Sequence, residues 1–273
     1  VESRSSRCGG RDITIDNSFS FSRRSALCGF SAATAVSLLP VTAFATLNRR
    51  ARLIVSLADN THQSIVPIKA SLGNGQKPSQ NLYWGALYGM KTHFRRMDNW
   101  SVDSHNIAVE GVLDAVKLTH KNHAHIQIDV EAWDGAKQKQ ALRSYFSELR
   151  NIETGADLVG FIGHNALMDV PSPNLPVLPF IRNGNLDKDR KAVVIACKSA
   201  SYFNPYLKNL GVDPYVMTNG SMAPEAYVVQ GILEAWLAGG TSNAAKQGAA
   251  KQYAQYQKIP LRSANWLFGV KSK

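Results

Sequence analysis

The sequence predicts an α/β protein: a mainly parallel sheet with helices on both faces, a three-layer sandwich. Three observations predict it. Residues 52–58 (RLIVSLA), 157–164 (DLVGFIGH) and 193–199 (VVIACKS) carry apolar runs rich in β-branched side chains, as strands buried on both faces of a parallel sheet do. Residues 136–150 place Ala141, Leu142, Tyr145, Phe146 and Leu149 on one helical face between a strand at 125–133 (HIQIDVEAW) and the strand at 157–164, which is the strand–helix–strand order of parallel sheets. Two of the apolar runs end on Gly-His and Ala-Cys, at the carboxyl ends where open α/β sheets build their sites.

The N-terminal part reads differently. Arg23 and Arg24 precede a weakly polar stretch over residues 28–39, and Ala43-Phe44-Ala45 offers a small-x-small cleavage site. This is the pattern of a secretory signal peptide of the twin-arginine type over residues 1–45, leaving a single domain at 46–273 in the periplasm or outside the cell. The apolar stretch is too short and too rich in Ala, Ser and Thr for a membrane span, so no stable membrane insertion is expected once the signal is removed. The chain of 273 residues has a formal net charge of +11, and removing residues 1–45 takes five basic and three acidic residues with it, leaving +9. Such a charge favours acidic partners, a membrane surface or a cell-envelope polymer. The basic residues are scattered and no run of five or six occurs, so nucleic acid is not an expected partner.

Within 46–273 the first strand ends at Asp59-Asn60-Thr61, where turn chemistry takes over. Residues 72–79 form a loop without the Gly-Lys-Ser/Thr ending of a phosphate cradle. Ser79 is placed to cap a helix over 81–96, with Leu82, Leu87, Met90 and Phe94 at helical spacing and Tyr83, Trp84 and Tyr88 read as core. Residues 98–103 read as a turn, and 109–118 as a short helix or a strand with a bulge. His120, His123 and His125 precede the 125–133 strand, but the Asp-His that would extend His-x-His to a zinc site is absent. Neither a metal nor another cofactor is expected. Prolines at 171, 173, 176 and 179 make residues 170–180 a loop. A short helix follows near 206–210, then a strand at 214–218 that ends in Asn219-Gly220-Ser221. Pro224 opens a helix to Leu237, which Gly239-Gly240 stops, and 243–257 form an Ala-rich helix.

Cys8 and Cys28 fall within the expected signal, which leaves Cys197 without an intramolecular disulfide partner. An unpaired thiol at a strand's end in an oxidising compartment is a candidate nucleophile, and His164, at the end of the preceding strand, a candidate base. The blocks "LVGFIGHN" and "AVVIACKSAS" resemble the caspase-like cysteine peptidases, the clan of legumains, gingipains, clostripain and caspases, whose strands end in His-Gly and in Ala-Cys or Gln-Cys. The resemblance departs at Asn165, where the family has a glycine whose amide helps to bind the oxyanion. It implies a Cys197/His164 dyad acting on a peptide or amide. It also implies oxyanion or orienting roles for Gly163, Asn165, Asp59 and Asn60, and a substrate-pocket wall at Thr218, Asn219, Gly220 and Ser221. Two other classes stay open: an exported non-catalytic protein that holds a ligand at Asp59, Asn165 and Asn219, and a metal hydrolase built on the histidines around 120–125 with Asp129.

Overall fold

A computed structural model describes residues 49–151, 155–169 and 190–270, all within one unit spanning Thr46–Lys273. The expected signal peptide and the Pro-rich 170–180 loop lie outside the described residues. Among the described residues one sheet runs in the order β2-β3-β4-β1-β5-β6-β7. Its strands are β1 Arg50–Ser56, β2 Trp100–Ser104, β3 Val112–His120, β4 Gln127–Trp133, β5 Leu158–Gly163, β6 Lys191–Ile195 and β7 Pro214–Val216. From β4 to β7 every pairing is parallel, and β2 and β3 add an antiparallel edge. The fold is therefore α/β with a mainly parallel sheet, as expected from the apolar runs.

The alternation of side chains along each strand feeds two separate cores. On one face Leu53, Val55, Leu158, Ile162, Val193 and Ile195 pack against α1 (Met90–Arg95), α5 (Ala226–Leu237), α6 (Ser242–Gln257) and α7 (Leu261–Leu267). On the other, Ile54, Val159, Phe161 and Val194 meet α2 (Gln138–Arg150), α3 (Ala166–Asp169) and α4 (Ser199–Leu210). Phe146 and Phe203 stack there, with Phe161 tilted against Phe203 and Tyr145 edge-on to Phe161. Each such fully buried aromatic contributes about 2–3 kcal/mol by burial alone. Arg52 emerges on the same face and is held by Glu131 at 2.8 Å and Glu148 at 3.0 Å, so α2 is pinned to β1 and β4 by charge as well as by its apolar stripe.

The structure corrects several expectations. Residues 98–103, read as a turn, contribute the strand β2. As an edge strand β2 buries Trp100 and leaves most of its length exposed, so no apolar run announces it. Residues 109–118 lie largely in the strand β3, with a register shift between Val112 and Asp114. Helix is confined to Met90–Arg95 within 81–96. Upstream, the amides of Trp84, Gly85 and Ala86 all turn onto the Asn81 carbonyl, while the buried Asn81 side chain bonds the amide and carbonyl of Ala58. That anchoring holds 81–89 in turns against β1. The helix expected near 206–210 begins at Ser199 and runs through Pro205. Pro224 stands two residues before α5, outside its first turn. No helix among the described residues is long and apolar enough to cross a membrane.

Candidate active site

Strands β5 and β6 are neighbours, with Ile162 opposite Ile195 at their carboxyl ends. Each then turns out of the sheet by a different device. Gly163 has φ 137°, and a Cβ there would lie 2.5 Å from the Ser56 carbonyl oxygen, so only glycine lets β5 deliver His164 past the end of β1. Beyond Cys197 the chain reverses through Lys198, a non-glycine residue in the left-handed region at φ 50° and ψ 32°, directly into α4. Such a conformation costs on the order of 1–2 kcal/mol and persists because its surroundings over-determine it. The Lys198 amide donates to Gly220 O at 2.8 Å and the Ala200 amide to Thr218 O at 3.0 Å. The Ser199 amide donates to Thr218 Oγ1 at 3.3 Å. Ser199 Oγ donates to Val194 O and accepts from the Thr218 amide, and Thr218 Oγ1 donates to Ala196 O.

Asn165 joins the two turns. Its side chain is fully buried; Nδ2 donates to Cys197 O at 2.7 Å and Oδ1 accepts from the Leu167 amide at 3.1 Å. His164 is buried as well, and its Nε2 meets Asp169 Oδ2 at 2.8 Å. That same oxygen accepts from the Ser64 amide at 3.3 Å and Gln138 Nε2 at 3.4 Å. Burial pushes the Asp169 carboxyl up, but the Ser64 amide and the charge of His164 outweigh it and hold the group below the ordinary carboxylate range. Cys197 is the free cysteine among the described residues. Its Sγ accepts from the Met222 amide at 3.4 Å and donates to Met222 O at 3.5 Å. The hydrogen bonds of the two side chains thus run to Asp169 and Met222 and not to one another.

The remaining residues singled out from the sequence are placed as follows. Asp59 does not orient His164: Oδ1 accepts the amides of Thr61 and His62, and Oδ2 meets His62 Nδ1 at 2.9 Å. Asn60 closes its own loop through the amide and carbonyl of Ile68. Both do what Asx residues leaving a strand do. Thr218 is fully buried in the staple around Ser199 and so offers nothing to a substrate. Gly220 lies under the Trp266 ring. Asn219 is exposed and donates from Nδ2 to Trp266 O, and Ser221 is exposed. His120 bonds Asn99 and the Asn122 amide, Asp129 pairs with Arg50 and Gln127, and no cluster of His, Cys, Asp and Glu among the described residues could hold a metal.

Asp169 is the partner that sequence reading passed over. Its one signal is a carboxylate five positions beyond the histidine, brought back by the single turn of α3. The arrangement can position an imidazole, by way of a carboxylate, at the end of the strand next to a thiol. No known protein family, curated protein or solved structure matches the chain.

Proposed function

We propose that this chain is an exported cysteine hydrolase of the caspase-like kind, a peptidase or amidase working in the periplasm or outside the cell. One observation carries the reading: a histidine and a free thiol leave the carboxyl ends of adjacent parallel strands, and Asn165 ties their two turns together at 2.7 Å. Asp169 accepts from His164 Nε2, which leaves the Nδ1 lone pair as the base. Nδ1 takes the thiol proton as sulfur bonds to the substrate carbonyl carbon, then returns it to the leaving nitrogen as the C–N bond breaks. Water attacks the thioester carbon in the second half, giving a proton to Nδ1; the C–S bond then breaks, the acid leaves and the Cys197 sulfur takes the proton back. The oxyanion is assigned to the Cys197 amide with that of Gly163 or Asn165, since the amides of Lys198, Ser199 and Ala200 already serve Gly220 and Thr218.

The test is hydrolysis of a mixed peptide and amide library by wild type, Cys197→Ala, His164→Ala and the double variant. A dyad acting as a unit loses activity by a similar factor in all three, without multiplication. Activity that survives Cys197→Ala overturns the reading. The second reading is an exported, non-catalytic ligand-binding protein or pseudoenzyme. It is favoured by the separate hydrogen-bond partners of His164 and Cys197, and it predicts a chain inert toward the whole library.

A further inference from the structure

Beside the Asp169–His164 pair stands a second carboxylate–imidazole pair, which the hydrolytic steps leave unused. Asp59 is 4% exposed. Its Oδ1 accepts the amides of Thr61 and His62, and its Oδ2 meets His62 Nδ1 at 2.9 Å. A carboxylate accepts, so Nδ1 carries the ring proton and Nε2 keeps its lone pair. That nitrogen has no partner among the described residues, and the His62 side chain is 49% exposed. The loop that presents it is fixed from below: the buried Gln63 donates from Nε2 to Leu57 O and Gly135 O and accepts the Asp59 amide at Oε1.

The two pairs are neighbours. Strand β1 lies beside β5 with Ser56 opposite Gly163, so the chain reaches Asp59 from the strand end next to His164. Two residues beyond His62, the Ser64 amide donates to Asp169 Oδ2 at 3.3 Å. Gln138 Nε2 lies 3.4 Å from both His62 O and Asp169 Oδ2. Gln138 is buried, and its Oε1 has no partner among the described residues. His164 Nδ1 is likewise unspent among them. Three acceptors therefore open at the ends of two strands about 4.8 Å apart, with no donor from the described residues to meet them. A buried acceptor without a donor is a place for ordered water.

We infer that His62 Nε2 positions the water that hydrolyses the acyl-enzyme. One O–H of the water is held by His62 and the other by His164 Nδ1, which leaves an oxygen lone pair for the thioester carbon. As the C–O bond forms, the proton passes to His164 Nδ1, while His62 gains none. The inference rests on the hydrolase reading, whose acyl-enzyme supplies the carbon that is attacked.

The test mixes the full chain in rapid flow with a peptidyl p-nitrophenyl ester. Release of p-nitrophenol then reports acylation as a burst and deacylation as the steady state. Intact mass follows the acyl group on Cys197. In His62→Ala the burst rate constant is expected to hold while the steady-state rate falls by on the order of 100-fold, and acyl-enzyme accumulates. Asp59→Asn keeps an oxygen for the two amides but sets an N–H against His62 Nδ1, which turns Nε2 from acceptor to donor. The same deacylation defect is expected there, and His62→Gln, whose oxygen accepts, should recover part of the rate. Burst and steady state falling together, or a steady state unmoved by His62→Ala, overturns the water role and leaves the hydrolase reading standing. A wild type that shows no burst, or carries no acyl group on Cys197, overturns the hydrolase reading and the water role with it. If Asp59→Asn does not fold, the half-exposed His62→Ala decides alone.

Discussion

Asn165 occupies the position where the caspase-like pattern has glycine, and the structure gives its side chain two buried hydrogen bonds in place of a purely backbone role. Asn165→Gly therefore strands the Cys197 carbonyl and the Leu167 amide, and a loss of about 1–3 kcal/mol is expected, read as a lower midpoint in urea. A glycine tolerated without change would show that the tie between the turns is dispensable. At Asp169 the sign of the pH dependence follows from its depressed pKa. The stability it contributes is present above the unfolded value of 3.8 and is lost as pH falls through the lower folded value. Asp169→Asn should flatten that acid limb and, on the hydrolase proposal, lower kcat, because a neutral amide replaces the charged acceptor that holds the imidazole. An acid limb identical to that of wild type would remove Asp169 from the account.

At the level of elements, the layer that supports the thiol depends on how closely α5 and α6 approach. A Cβ on Gly231 or Gly248 would run into the backbone of the other helix, so the two glycines are a matched crossing. Gly248→Ala should cost about 1–3 kcal/mol by overpacking, measured by chemical denaturation, and a neutral effect would mean that the helices can separate freely. His93 ties α1 to α5 through Gln230 at 2.8 Å. Burial lowers its pKa, aided by Arg96 and opposed by the Gln230 hydrogen bond and Glu234. The neutral imidazole is thus the form that folding favours. Stability is fully present above the unfolded value of 6.5 and falls as pH drops from there toward the folded value. Unfolding midpoints taken between pH 7 and pH 5 should fall less in His93→Gln than in wild type.

For the whole molecule, the two cores on either face of the sheet leave the site to the carboxyl ends of the strands β5 and β6 and not to the sheet's interior. Cys197→Ala and His164→Ala remove side chains from turns beyond the strand ends. Cys197→Ala should cost roughly 1 kcal/mol or less, against 2–5 for a large core aliphatic, whereas His164→Ala, which removes a buried imidazole from Asp169, should cost about 1–3 kcal/mol. A Cys197→Ala chain that does not fold would make the cysteine a core residue and not a nucleophile. Export is a prediction at this scale too. Protein recovered from the envelope should begin close to Thr46 by mass spectrometry, and retention of residues 1–45 would overturn the export proposal.

The sequence by itself determined the parallel sheet and the placing of histidine and cysteine at its ends. A strand covered on both faces must be apolar at nearly every position, so β1, β5 and β6 are visible as runs with no knowledge of their neighbours. Local turn chemistry was equally legible: Asp59 and Asn60 serve their own loop, within a few residues of themselves. The edge strand β2 was not legible, because one exposed side frees its residues to be polar. Nor was α7, which is short and exposes Trp266. The rest of the site was decided by contacts between distant parts of the chain. Asn165 reaches Cys197 across 32 residues. Thr218 reaches Ser199 across 19 and is drawn inside by it. Asp169 owes its position to Ser64, 105 residues away. Hydrogen bonds of this kind leave no period in the sequence, since the partner that satisfies each polar group is chosen only when the strands and turns come together.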